Sequence, residues 1–229
     1  MKLIRKLNEL KRWAGTYYWD MHCKDEFLRA CPSGARVLDV GCGNDSPAHF
    51  KEIRPDFYYV GLDIGDYNQV ADPRSNADEY LITTADQFNA RIDALPPTFD
   101  AVISAHNIEH CNAPDQTLAA MLGVIKPGGR IYLAFPSNAS VDFPKRKGTL
   151  NFYDDPTHIH LPNFAEILAT LVDHGFRVDV ARRRYRPLVR ALKGLMKEAR
   201  HRLRRTVDGD TWALYGFEAI IWATRTRLS

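Results

Sequence analysis

Apolar residues along the chain switch repeatedly between the helical period and the short buried runs of strands. Leu3, Ile4, Leu7, Leu10 and Trp13 fall near a helical repeat, Gly15 interrupts it, and Tyr17 to Leu28 reads as a second helix. Residues 1–30 are therefore expected to form a helical cover, closed by the Pro32-Ser33-Gly34 break. Seven strand-like runs come after it, at 35–40, 57–63, 80–84, 99–104, 130–135, 176–180 and 215–224. Helices are expected at 47–53, 114–125 and 164–174, the last closed by Gly175. Strands alternating with helices imply an α/β chain, its parallel sheet covered by helices on both faces. Residues 136–162 obey neither period and read as irregular.

The 229 residues suffice for one sizeable domain over 31–229 beside the N-terminal cover. At 45% hydrophobic and 26% charged, the composition sets aside the disordered and fibrous classes. No apolar stretch approaches the roughly 18 residues that a spanning helix needs. The charged start Met1-Lys2-Leu3-Ile4-Arg5-Lys6 lacks the apolar centre of a signal peptide. Cys23, Cys31, Cys42 and Cys111 show no C-x-x-C spacing, so reduced thiols and a cytoplasmic location are expected.

The densest local signal is Val37-Leu38-Asp39-Val40-Gly41-Cys42-Gly43-Asn44-Asp45. It reads as a buried strand turning into a loop whose glycines bring bare backbone close to a ligand. A dinucleotide fingerprint would place a third glycine at Ser46 and pyrophosphate over the turn. Asp39 and Asp45 would repel that anion and favour a cationic ligand instead. Asp63, in Gly61-Leu62-Asp63-Ile64, stands 22 residues after Gly41, where a strand-end carboxylate accepts ribose hydroxyls. Ile64 is then placed to pack on a base.

Three more segments complete an ordered set: Ala85-Asp86-Gln87-Phe88, Phe99 to His110, and Ile125-Lys126-Pro127-Gly128-Gly129-Arg130-Ile131-Tyr132-Leu133. From Val37 to Phe135 the set resembles, in order and spacing, the class I S-adenosylmethionine-dependent methyltransferases. The resemblance implies a Rossmann-like seven-stranded sheet whose last strand runs antiparallel. It implies S-adenosylmethionine as cofactor and S-adenosylhomocysteine as product. The cofactor residues carried over are Asp39, Gly41, Cys42, Gly43, Asp63, Ile64, Asp86, Gln87, Ser104 and Ala105. In the family an acid at the place of Asp86 bonds the adenine amino group, and Ser104 and Ala105 would line the methionine end. Ser104-Ala105-His106-Asn107 stands where methyltransferases of base amino groups usually carry Asn/Asp-Pro-Pro-aromatic, which argues against a free exocyclic base amine as acceptor.

His106, Glu109 and His110 share a face if the turn after the fourth strand is helical. Asp155-Pro156-Thr157-His158-Ile159-His160 offers a second cluster. Three readings stay open. A histidine serves as general base toward an acceptor hydroxyl, with His110 first and His106 or His158 beside it. His106, Glu109, His110 and His158 hold a divalent metal, although His106 stands where some RNA 2′-O-methyltransferases carry a glutamate. Or the pair is structural. The segment around His158 also resembles methyltransferases of bacterial surface-polysaccharide gene clusters, which implies a sugar or glycan hydroxyl as acceptor.

Charge changes the picture late in the chain. Residues 182–205 hold eleven Lys and Arg against Glu198 alone, a net +10, so the remainder of this +3 chain carries −7. Strands six and seven are expected to pair, yet a basic insertion at about 182–210 separates them. Leu188, Leu192, Leu195, Met196, Ala199 and Leu203 repeat at helical spacing with Arg190, Lys193, Lys197, Arg200 and Arg204 between them. Two readings stay open: the apolar stripe packs on the domain and leaves the basic face to water, or the helix meets an anionic partner. An anionic membrane surface at 182–205 is one such partner. Sparse aromatics, with only Tyr185 nearby, disfavour nucleic acid.

Overall fold

In the computed structural model, which describes residues 23–183 and 188–227, the acid-bearing run Arg36–Val40 forms β1 near the middle of a seven-stranded sheet. The strands are β2 (Tyr58–Asp63), β3 (Glu79–Ile82), β4 (Phe99–Ala105), β5 (Ile125–Pro136), β6 (Phe176–Arg183) and β7 (Glu218–Arg225), in the order β3-β2-β1-β4-β5-β7-β6. β1 to β5 are parallel, and β7 lies antiparallel between β5 and β6. This is the Rossmann-like methyltransferase fold that the resemblance implies.

Strand alternation divides the core. Leu38, Val40, Val60 and Leu62 face α3 (Phe88–Asp93), α4 (Pro114–Gly123) and α5 (Phe164–Asp173). Val37, Tyr59, Ile103 and Tyr132 face α1 (Lys24–Arg29) and α2 (Ser46–Ile53). The helices thus lie on both faces. The same alternation sends Asp39 to the side of Val37, under α2, where its carboxylate accepts bonds from Ser46 Oγ at 2.5 Å and Tyr59 OH at 2.9 Å.

Several expectations change. Residues 1–22 of the expected cover lie outside the described residues, as does Tyr185; the described remainder is α1. β5 begins at Ile125 rather than Arg130, because Ile125 pairs with Phe99 before a register shift takes up the Gly-Gly pair. α3 has no counterpart among the helices expected from periodicity; its buried residues are only Phe88 and Ile92. β6 runs on to Arg183, and the last strand starts at Glu218 rather than Tyr215. Residues Gly209–Tyr215 are instead a helix, α7, opened by a reciprocal Asp208–Thr211 cap and closed by Gly216 in the left-handed region.

The insertion's main helix, α6 (Leu188–Arg204), presents an unexpected side to the domain. Glu198 is its buried contact, receiving two bonds from Arg146, at 3.0 and 2.5 Å, and one from Tyr215 OH at 2.6 Å. Gly194 allows close approach: a Cβ there would stand 2.5 Å from the Asp210 carbonyl oxygen of α7. Leu192, Leu195, Met196 and Leu203 are exposed. The reading in which the apolar stripe packs on the domain is therefore overturned: a buried ion pair anchors α6, and the stripe faces water.

Cutting one partner of that pair strands the other charge, which costs about 3 kcal/mol or more. Glu198→Ala is expected to lower unfolding stability by about that amount in urea titrations, and Glu198→Leu with Arg146→Met to recover most of it. Equal stability of Glu198→Ala and the parent would refute the anchor.

Candidate functional site

The parallel strands end along one edge, and the residues singled out in the sequence gather there. After β1 the chain turns through Gly41, at φ 80°, and then through Asn44 and Asp45 in the left-handed region. The Gly41 amide donates to the Leu62 carbonyl at 2.9 Å, tying the turn to β2. The loop after β2 folds back over it. Asn44 N–H donates to the Tyr67 carbonyl at 2.9 Å, Gln69 Nε2 to the Cys42 carbonyl at 2.9 Å, and the Val70 amide to Asp45 Oδ1 at 2.6 Å. A Cβ on Gly43 would stand 3.0 Å from the Tyr67 carbonyl oxygen, so this glycine is what lets the two loops close together.

The acids beside the turn do not face outward together. Asp39 is taken up by Ser46 and Tyr59, and burial pushes its carboxyl above the ordinary range, against Lys24 and those two bonds. Asp45 is taken up by the amides of Val70 and Ala71. Cys42 points into the core beside Gly61, and burial pushes its thiol up; only its backbone belongs to the turn. The expectation of a carboxylate pair awaiting a cation is thus corrected.

Asp63 ends β2 at this edge and accepts the Ile64 amide at 2.7 Å. Burial raises its carboxyl, while the amides of Ile64, Gly43 and Gly65 oppose the rise. Ile64 is exposed next to it. Asp86 and Gln87 are exposed in the loop between β3 and α3. Ser104 is buried at the end of β4, its Oγ accepting from Asn107 Nδ2 at 3.4 Å, and Ala105 comes next in the chain. A hydroxyl-accepting carboxylate, an exposed apolar side chain and bare glycine backbone are the donor set that suits an adenosyl group, so these residues fit S-adenosylmethionine.

The histidines separate into two groups. His106 is held in the left-handed region, at φ 53°, which a non-glycine residue adopts only when its surroundings enforce it. Its Nδ1 donates to Glu109 Oε1 at 3.2 Å and its Nε2 to Glu218 Oε1 at 2.8 Å. Phe217 stacks on the ring, and Trp212 of α7 lies 5.4 Å from it, centroid to centroid. Burial alone would lower its pKa; the bonds and charges of Glu109 and Glu218 overcome this and raise it to about 10. His106 therefore keeps its proton at neutral pH, which removes it from the role of base, and both ring nitrogens are already engaged, which removes it from a metal shell.

His110 and His158 form the second group, with ring centroids 4.8 Å apart. The Glu109 carbonyl joins them by accepting the amides of Ile159 at 3.0 Å and His160 at 3.2 Å, which seats the downstream segment. His110 Nδ1 donates to the Thr157 carbonyl at 3.0 Å, and His158 Nδ1 to the Phe152 carbonyl at 2.7 Å. Those bonds fix both tautomers and leave each Nε2 as the basic nitrogen. Glu109, fully buried, keeps Oε2 without a hydrogen-bond partner, and one donor atom each from Glu109, His110 and His158 lie within 4.8 Å of one another. Sequence reasoning missed Glu218, Trp212 and Tyr67. Glu218 lies 112 residues from His106, and only the antiparallel β7 brings it to the edge where the parallel strands end, so no local pattern marks it.

The sequence profile of the family described as a methyltransferase domain matches residues 17–180. A ubiquinone biosynthesis O-methyltransferase of Saccharophagus degradans is 35% identical over 112 residues, 46% of this chain and 45% of that protein. A ubiquinone/menaquinone biosynthesis C-methyltransferase of Vibrio campbellii is 30% identical over 171 residues, 72% of this chain and 64% of that one. The match thus spans under half the length of the first of these relatives. A solved SAM-dependent methyltransferase from Archaeoglobus fulgidus superposes with a TM-score of 0.57 at 18% identity, over 94% of this chain and 99% of that one.

A raised histidine pKa contributes stability that is complete below the ordinary value of 6.5 and lost as pH rises through the folded value of about 10. His106→Gln is expected to erase this pH dependence: its deficit in chemical denaturation is largest below pH 6.5 and shrinks toward 10. A deficit constant across that range would contradict a charged His106.

Proposed function

The chain belongs to the class I S-adenosylmethionine-dependent methyltransferase family, and on that premise we propose that it methylates a hydroxyl oxygen of a small acceptor, with a sugar or glycan hydroxyl as the favoured class. The observation that carries the hydroxyl reading is the pair of histidines whose Nδ1 protons are held by carbonyls, which leaves each Nε2 as the accepting nitrogen. An alcohol gains nucleophilicity as its proton is taken, and a neutral imidazole suits that transfer near neutral pH. The sugar reading rests on the segment around His158 alone. Among the quinone-pathway relatives, the name of the O-methyltransferase favours a second reading, a phenolic hydroxyl, for which the same base would serve; that of the C-methyltransferase does not.

S-adenosylmethionine, when bound, supplies a methyl group on a good leaving group. The chain's own work is then placement and proton handling. Gly41 and Gly43 offer bare backbone. Asp63 would accept the ribose hydroxyls, Ile64 would lie against the base with Asp86 and Gln87 bordering it, and Ser104 and Ala105 would line the methionine end. His110 or His158 takes the acceptor's proton on Nε2. His106 holds the positions of Glu109 and the neighbouring strands and exchanges no proton.

With S-adenosylmethionine and a panel of glycan and phenolic acceptors, His110→Ala or His158→Ala is expected to lower kcat by about a hundredfold or more. S-adenosylhomocysteine affinity in calorimetry should stay near that of the parent. Full turnover in both variants would sink the base reading, and loss of turnover to a chelator with rescue by a divalent ion would replace it with a metal at Glu109, His110 and His158. Gly43→Ala is expected to weaken S-adenosylhomocysteine binding by about tenfold or more, because its Cβ would press on the Tyr67 carbonyl as well as on the Tyr67 ring.

A further inference from the structure

We propose that the outer face of α6 docks this protein onto the surface of an anionic lipid bilayer. The inference stands apart from the methyl-transfer reading, since none of the residues it uses belongs to that site. Its first support is orientation. The buried Arg146–Glu198 pair and the close approach at Gly194 fix which side of α6 meets the domain. Leu192, Leu195, Met196, Ala199 and Leu203 fall on the side left over, and all five are exposed. Leu195 is 60% exposed, Met196 76% and Leu203 87%, values that belong to residues turned fully outward. A soluble helix ordinarily turns such a stripe inward. Here an ion pair occupies the inward side instead.

The second support is charge. On a helical projection Arg200 and Arg204 flank one margin of the stripe, both exposed, while Arg202 at the other margin is held by Glu198, to which its Nε donates at 2.9 Å. Lys145 and Lys147 stand exposed in a neighbouring loop, joined to the end of α6 where the Lys147 amide donates to the Arg205 carbonyl at 2.6 Å. An apolar stripe bordered by long cationic side chains suits a bilayer. The stripe enters the boundary between headgroups and acyl chains while the arginines reach the phosphates. A protein partner would need matching acids, whereas an anionic leaflet supplies a continuous negative potential. No described helix is long and apolar enough to cross a membrane. α7 links this face to the histidines, since it packs on α6 and carries Trp212 against His106.

The test is sedimentation of the full chain with extruded vesicles of three parts phosphatidylcholine to one of phosphatidylglycerol, across a salt series, beside vesicles of phosphatidylcholine alone. Binding is expected on the anionic vesicles, falling at least about tenfold as salt rises and on the neutral ones. Leu195→Gln with Met196→Gln, and separately Arg200→Gln with Arg204→Gln, should each cut binding about tenfold or more. All four positions are exposed, so the variants are expected to stay folded, which circular dichroism checks. Three results would overturn the proposal: no binding at low salt, equal binding to both vesicle types, or unchanged binding by both variants. Light scattering that shows a dimer lost in Leu195→Gln with Met196→Gln would assign the face to a second copy instead. RNA binding abolished by the arginine variant, without vesicle binding, would assign it to nucleic acid.

Discussion

One imidazolium between two carboxylates holds the acceptor side of this molecule together. His106 stands just past the end of β4, Glu109 in the turn after it, and Glu218 at the first residue of β7. Each carboxylate is largely removed from water, so each alone would be costly; the shared cation between them makes both tolerable. The cost appears in the backbone, where His106 accepts a left-handed conformation. The consequence for the site is positional. With Glu109 fixed, its carbonyl seats Ile159 and His160, and His158 comes to lie beside His110. With the His106 ring fixed, Phe217 and Trp212 have a surface to stack on, and the inserted helices join the site.

The cofactor side rests on a different device. Asp39 is not a ligand-facing acid but a buried acceptor that ties β1 to α2 through Ser46 and to β2 through Tyr59. The loop from Tyr67 to Ala71 closes over the turn after it, through the Tyr67 carbonyl and the Asp45 carboxylate. The two halves of the site meet at β4, whose end supplies Ser104 and Ala105 to one side and leads into His106 on the other. Methyl transfer needs alignment more than chemical activation, and a rigid strand end shared by both binding regions provides it.

Much of this fold is legible in the sequence, and the limits have physical reasons. The strands at 36–40, 58–63 and 99–105 announce themselves because apolar runs of that length, bounded by Gly, Pro and Asp, have few other uses. α3 and α7 do not, since six- and seven-residue helices give too few turns for a period to emerge. The direction in which Asp39 points is set by strand alternation, yet an acid beside a glycine turn invites assignment to a ligand. The cluster of His110 and His158 is visible as two motifs; their union depends on the Glu109 carbonyl, which leaves no trace in side-chain identity. α6 is legible as an amphipathic helix, and its rotation is not. Burial of Glu198 depends on Arg146, 52 residues away. Apolar residues inward is a sound default for a helix on a domain, and here a buried charge pair overrules it.

The clamp on His106 underlies the whole acceptor side, and nitrogen NMR of the histidine side chains probes it without intermediaries. At a pH midway between 6.5 and 10, the His106 ring is expected to carry protons on both nitrogens and to lose one only near pH 10. A neutral His106 ring at that pH, titrating near 6.5 like a free histidine, would disprove the clamp.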